Sequence, residues 1–280
     1  MTGQGISNPA GASPRPSWLW PIRPGLRLIG QIDRALDWIS SIMRGPRAFL
    51  FAFAAGTLPL AVSFATGLPG HQWITGTLLV PLLLCAVRSD RFPAGVSMLL
   101  AALLGHSVLA ITLAHADPVR ASLIMPRGAE YLRDQMTWIR TGKDPEYELA
   151  NWLPAHGQLI GAMALFTFIS FGWMSLVEGV KELDLMNYYV GCLLRESRDP
   201  SVALLAGWHV WSILRGIGFA ILIFEIASWS FARFSARPSS TPGRRTFRWA
   251  LALAFLAADA LVKYFALPVV REILAANLRR

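Results

Sequence analysis

Charge is scarce in this chain. Only 15% of its 280 residues are Asp, Glu, Lys or Arg, against about 25% in ordinary soluble proteins, and 54% are hydrophobic. A water-soluble fold is therefore not expected. Cysteine is almost missing as well: Cys85 and Cys192 are the two present, and neither has a CxxC or Cys/His spacing, so no disulfide framework and no cysteine metal site are expected. The nucleophile elbow GxSxG, the zinc motif HExxH and the nucleotide loop GxxxxGK[ST] are all absent. Nor does the N-terminus carry the basic stretch, short apolar run and small-residue cleavage site of a secretory signal. Residues 1–16, MTGQGISNPAGASPRP, are rich in Gly, Ser and Pro without an apolar centre and read as a disordered cytoplasmic tail. No metal and no cofactor are expected.

What the chain has instead is long apolar blocks. Several approach the roughly 20 residues that a helix rising about 1.5 Å per residue needs to cross a hydrocarbon layer about 30 Å thick. Trp73, Trp152, Trp229 and Trp249 are among the 11 tryptophans, many of which flank such blocks, where an indole suits the headgroup level. Net charge is +9, and the arginines concentrate between the apolar blocks. That placement fits the retention of loops on the cytoplasmic side and contact with anionic headgroups better than it fits nucleic acid. The fold class expected is all-α: a polytopic bundle of about six transmembrane helices in a bacterial inner membrane, both termini cytoplasmic. Membrane lipids and other membrane subunits are the expected partners.

In chain order, residues 17–46 contain Ile29, Ile32, Leu36, Ile39 and Met43 at spacings of three and four with charges between them, an amphipathic interfacial helix. Residues 47–280 form a single transmembrane domain. Its first three spans are expected at 47–67, 72–87 and 93–114, the first two joined by the turn LPGH. An external connector at 115–155 is expected to hold an amphipathic helix at 127–140 with Leu132, Met136 and Ile139 on one face. A fourth span follows at 156–180. It opens on Gly157 and Gly161, a GxxxG spacing suited to helix packing. The segment after it is expected at the interface, because Glu178, Lys181, Glu182 and Asp184 do not tolerate lipid. The block 202–231 divides at Arg215 into a half-buried piece and a span, and 247–267 is the sixth crossing. One loop conflicts with this count. Arg233, Arg237, Arg244, Arg245 and Arg248 crowd a connector that six alternating spans place outside, against the positive-inside rule.

Ionisable groups inside spans cost roughly 2.5 kcal/mol or more each on insertion scales, so each needs a partner or a wet site. The candidates are His106, Glu178, His209, Arg215, Glu225, Asp259 and Lys263. Asp259 and Lys263, four apart, can neutralise each other on one helix face. Trp208, Trp211 and Arg215 share a helical spacing at which a guanidinium can stack on an indole. His106 and His209 have no second ligand at helical spacing, so a metal would need residues from different helices. Three functions fit. An accessory, assembly or scaffold component asks least of the residues. A permease would run its path past Arg215, Glu225, Asp259 and Lys263. An intramembrane enzyme on a lipid-linked substrate would use His156, Glu178, Asp184 and His209, and requires a carboxylate and a histidine within hydrogen-bond reach, near 3 Å.

Overall fold

Proline opens five of the helices, because a residue without an N–H costs nothing in a first turn and its fixed φ already suits the helix. The computed structural model describes residues 31, 34–39, 45–143, 149–235 and 241–279. The expected tail at 1–16 and most of the amphipathic segment 17–46 lie outside them, although 34–39 is helical. The helices are α1 (Pro46–Thr66), α2 (His71–Arg88), α3 (Phe92–Ala116), α4 (Pro118–Ile124), α5 (Gly128–Thr141), α6 (Leu149–Ser170), α7 (Trp173–Glu196), α8 (Pro200–Gly207), α9 (Val210–Ser235) and α10 (Pro242–Asn277). There is no strand among the described residues.

Four helices, α1, α3, α9 and α10, are long and apolar enough to cross a membrane. Their outward faces carry exposed Leu50, Phe53, Leu104, Val108, Leu253 and Phe265, whereas His71, Gln72, His106, Asp184 and Asn187 are buried. Apolar outside and polar inside is the arrangement that lipid selects, since a polar group facing hydrocarbon has no partner. The chain is a helical membrane protein on that composition.

The long helices run back and forth between two ends of the bundle. At one, the arginine end, Arg88 pairs with Asp37 at 2.8 Å. There Arg248 also reaches Asp90 at 2.7 Å. At the other, the lid end, Arg195 donates to the carbonyls of His115 and Ala116. The guanidinium of Arg120 closes the last turn of α1 on the carbonyls of Phe64 and Ala65. The side chain of Asn277 bonds Asp199, and Arg279 bonds the carbonyl of Ser197. The lid itself is α5, which buries Met136, Trp138 and Ile139 and exposes Arg133, Asp134 and Thr137. It runs over Gly128–Thr141, where a helix was expected at 127–140.

Two expectations change here. The span foreseen at 156–180 is two helices. The chain turns at Phe171 and Gly172, both at positive φ (54° and 96°), and α7 doubles back on α6. Ser175 accordingly bonds Thr167 and the carbonyl of Met163. The charged segment after Val180 therefore does not lie apart at an interface; it continues α7 with Asp184, Asn187, Tyr188 and Tyr189 turned into the protein. Counting α6 and α7 separately, seven long helices alternate among the described residues. The residues at 34–39 and 277–279 consequently pack at opposite ends, and the arginine-rich 241–248 shares an end with 88–91. The block 202–231, in turn, breaks at Trp208–His209 between α8 and α9 rather than at Arg215. Trp208 thus stands outside the helix that carries Trp211 and Arg215.

Candidate functional site: an aspartate between two histidines

Three close helix crossings build the site. A Cβ on Gly56 would stand 2.2 Å from the carbonyl oxygen of Ala102, so only glycine lets α1 and α3 meet there. One turn beyond Ala102 is His106, and the crossing leaves the Gly56 carbonyl 3.0 Å from its Nδ1. A Cβ on Gly76 would stand 2.6 Å from the side chain of Val177, which sets α2 against α7. Further along that contact, His71 and Gln72 at the start of α2 face Asp184. The third crossing, Gly191 on the Cβ of Ala114 (2.6 Å from an added Cβ), ties α7 to α3 nearer the lid.

These crossings deliver one carboxylate and two imidazoles to a single point. His106 Nε2 lies 2.7 Å from Asp184 Oδ1. His71 Nε2 lies 2.9 Å from Asp184 Oδ2, which also accepts from Gln72 Nε2 at 2.7 Å. The imidazoles stack at 5.6 Å between centroids. His71, His106 and Asp184 are all at most 1% exposed. Asn187, one turn after Asp184, donates to Ser107 Oγ at 3.1 Å. Around them His71 Nδ1, Thr75 Oγ1 and Asn187 Oδ1 are buried with no hydrogen-bond partner among the described residues. Such atoms each cost about 1–3 kcal/mol unless something fills the gap.

The hydrogen-bond geometry assigns protons. A backbone carbonyl only accepts, so His106 Nδ1 carries a hydrogen toward Gly56. Its Nε2 then faces a carboxylate and shares a hydrogen with it. This is the arrangement in which one ring nitrogen is oriented by a carbonyl and the other is presented to a charged partner. One ligand atom from each of His71, His106 and Asp184 lies within 4.8 Å of the other two, a set able to hold a metal ion.

The other candidates lie elsewhere. Arg215 grips Asp259 with two hydrogen bonds, Nε to Oδ2 at 2.9 Å and Nη2 to Oδ1 at 3.2 Å. Asp259 thus meets an arginine on the neighbouring helix, with Lys263 buried one turn on. Glu225 accepts from Arg245 at 3.1 Å and from Arg248 at 3.5 Å. Arg248 also stacks on Phe92 and Phe224. Glu178 pairs with Lys181 at 2.9 Å, and Lys181 lies over Trp73. His209 is enclosed by aromatics: Trp211 stacks on it at 4.2 Å, and Trp138 and Tyr189 stand about its ring. Gly157 and Gly161 have nothing within 4 Å of where a Cβ would stand, because α6 turns its buried Met163 and Thr167 toward α7 instead.

Sequence reasoning placed Asp184 among interfacial residues and His106 in a span, and took His71 as part of a turn. The signal for His71 was the polar His-Gln pair on the first turn of an otherwise apolar span. Comparisons with protein families, with curated proteins and with solved structures give no match to this chain.

Proposed function

We propose that the chain is a multi-pass protein of the bacterial inner membrane that carries a cation through its bundle, with Asp184 as the binding carboxylate and His71 and His106 as its exchangeable partners. One observation carries this reading: Asp184, midway along α7, is buried and, among the described residues, held by two histidines and a glutamine amide, donors that a cation can displace. Taking a carboxylate out of water costs several kcal/mol, and an accessory subunit bound to other membrane proteins has no need of it. The path differs from one past Arg215, Glu225, Asp259 and Lys263, where arginine already satisfies both carboxylates.

The orientation follows the arginines. With the arginine end cytoplasmic, both 88–91 and 241–248 obey the positive-inside rule. The chain then makes seven passes, by α1, α2, α3, α6, α7, α9 and α10, and its C-terminal residues lie outside. Reporter fusions at residue 280 test this: periplasmic alkaline phosphatase is active and cytoplasmic green fluorescent protein dark. The reverse pattern restores a cytoplasmic C-terminus.

The same carboxylate–histidine contact is what an intramembrane enzyme on a lipid-linked substrate requires, and this is the second reading it favours. Reconstitution separates the two. Liposomes containing the purified protein, loaded with a pH dye or a fluorescent metal chelator, show a cation flux that Asp184→Asn lowers at least tenfold. Equal flux from wild type and from inserted Asp184→Asn overturns the carrier reading.

A further inference from the structure

The geometry points to a binding site for one divalent transition-metal ion, of the zinc or cobalt class, held by His71 Nε2, His106 Nε2 and a carboxylate oxygen of Asp184. This inference rests on the site proposed above as cation-binding and names its cation.

The donor set selects the class. Two imidazole nitrogens and one carboxylate oxygen suit borderline metals such as Zn²⁺ and Co²⁺, whereas Mg²⁺ and Ca²⁺ take oxygen ligands. The three residues come from three helices, α2, α3 and α7, and each is fixed by its crossing. Their ligand atoms lie within 4.8 Å of one another. A tetrahedral ion with bonds of about 2.0–2.2 Å spaces its ligands roughly 3.4 Å apart. The present separations from Asp184 are 2.7 and 2.9 Å. The separations, to Oδ1 for His106 and to Oδ2 for His71, therefore widen by roughly 0.5–0.7 Å when the ion enters, a movement within the reach of side-chain rotation.

The surroundings are those of metal ligands. His106 donates its other ring hydrogen to the Gly56 carbonyl, which aims Nε2 inward, and Gln72 donates to the carboxylate. The first bond orients the imidazole and raises its basicity, and the second holds the carboxylate in place. The ion takes the place of the hydrogens now lying between the imidazoles and Asp184. His71 then carries its hydrogen on Nδ1, the nitrogen that has no partner among the described residues. Three protein ligands leave a fourth position open, as in zinc sites that pass on or activate what they bind. Thr75 Oγ1 and Asn187 Oδ1, one turn from His71 and Asp184 on the same helices and without hydrogen-bond partners among the described residues, are polar groups that a water can meet.

The test uses the full chain in detergent, stripped with chelator, dialysed and titrated with Co²⁺. Wild type is expected to bind one equivalent, with the visible absorption of four-coordinate Co²⁺, and Zn²⁺ displaces it. His71→Gln, His106→Gln and Asp184→Asn each weaken binding at least tenfold, whereas His209→Gln, a buried histidine at another place, binds as wild type does. A monodisperse wild type that takes up no stoichiometric Co²⁺ or Zn²⁺ overturns the inference by itself, whatever the variants do. So does binding that survives in the doubly substituted His106→Gln/Asp184→Asn protein. Asp184-dependent proton flux without metal binding removes this inference and leaves the carrier; stoichiometric binding without flux removes the carrier and leaves the metal site.

Discussion

The bundle buries carboxylates in two ways. On α9 and α10, Asp259 and Glu225 each face arginine, at 2.9 Å from Arg215 and 3.1 Å from Arg245. On α2, α3 and α7, Asp184 faces two histidines and a glutamine amide. A guanidinium keeps its charge at any pH a cell meets and grips a carboxylate with a planar fork, so the first kind is a permanent clamp between helices. An imidazole nitrogen is a common metal ligand and a guanidinium is not, so we read the second kind as open to exchange. A buried carboxylate is therefore read by its partner. By that measure the carboxylates of α9 and α10 clamp helices together, and the α2–α3–α7 crossing is where we propose that the protein acts.

The largest effect that tests this contrast is expected at Gly56. Replacement by leucine drives a side chain into the Ala102 backbone, which cannot give way as a side-chain end would. Overpacking and displacement of the crossing cost about 3 kcal/mol, and the Gly56 carbonyl moves off His106 as the helices part. Thermal unfolding in detergent reads the first loss and Co²⁺ binding the second. A Gly56→Leu protein as stable as wild type, with its ion site unaltered, shows that the crossing does not position His106.

Next comes the clamp. Arg215→Leu leaves Asp259, 2% exposed, without its forked partner. Removing one member of a buried pair costs about 3–5 kcal/mol; Arg215 is partly open to its surroundings, and Lys263 is buried one turn away, so about 3 kcal/mol is expected. Arg215→Leu/Asp259→Leu recovers part of that loss, because the pair is removed whole while Lys263 stays buried beside it. Cation flux in the double variant stays near that of wild type. If flux disappears while stability returns, the clamp belongs to the path and the contrast between the two regions fails.

How much of this was legible in the residues depends on where the apolar pattern is punctuated. Expected limits of 47–67, 72–87 and 93–114 fall within two residues of α1, α2 and α3, because glycine, proline and arginine bound those runs. The lid helix was legible from its alternating faces. The turn at Phe171–Gly172 was not: it lies inside an aromatic apolar run and depends on a positive φ at Phe171, which no composition announces. Missing it merged α6 with the start of α7 into one expected span. The exchangeable site was half legible. His106 and Asp184 stood out as polar groups in awkward places, but their meeting depends on Gly56, Gly76 and Gly191, whose contacts lie across helices and leave no spacing to read. Asp259 was matched with Lys263 by the same limit, since only the partner on its own helix can be seen in a linear pattern.

The smallest effect sharpens the comparison with a third kind of carboxylate. Asp199 precedes α8 at the lid end, fully exposed, and accepts hydrogen bonds from the Ser201 hydroxyl and from the backbone N–H groups of Ser201 and Val202. The Ser201 hydroxyl, followed by its N–H, holds the Asp199 carboxyl below the usual carboxylate range. A depressed folded value means that the ionised form is the one that stabilises. Its contribution is complete above the ordinary aspartate pKa and fades as pH falls through the lower folded one. Asp199→Ala is therefore expected to lower the melting temperature slightly at pH 7 and to make no difference in strong acid, whereas Asp199→Asn, still an N-cap, largely spares it. Flux and metal binding stay unchanged throughout, because an exposed carboxylate held by a hydroxyl and backbone N–H groups does no work that depends on burial. A loss of flux in Asp199→Ala at neutral pH would make the lid end part of the path and extend the acting region beyond the α2–α3–α7 crossing.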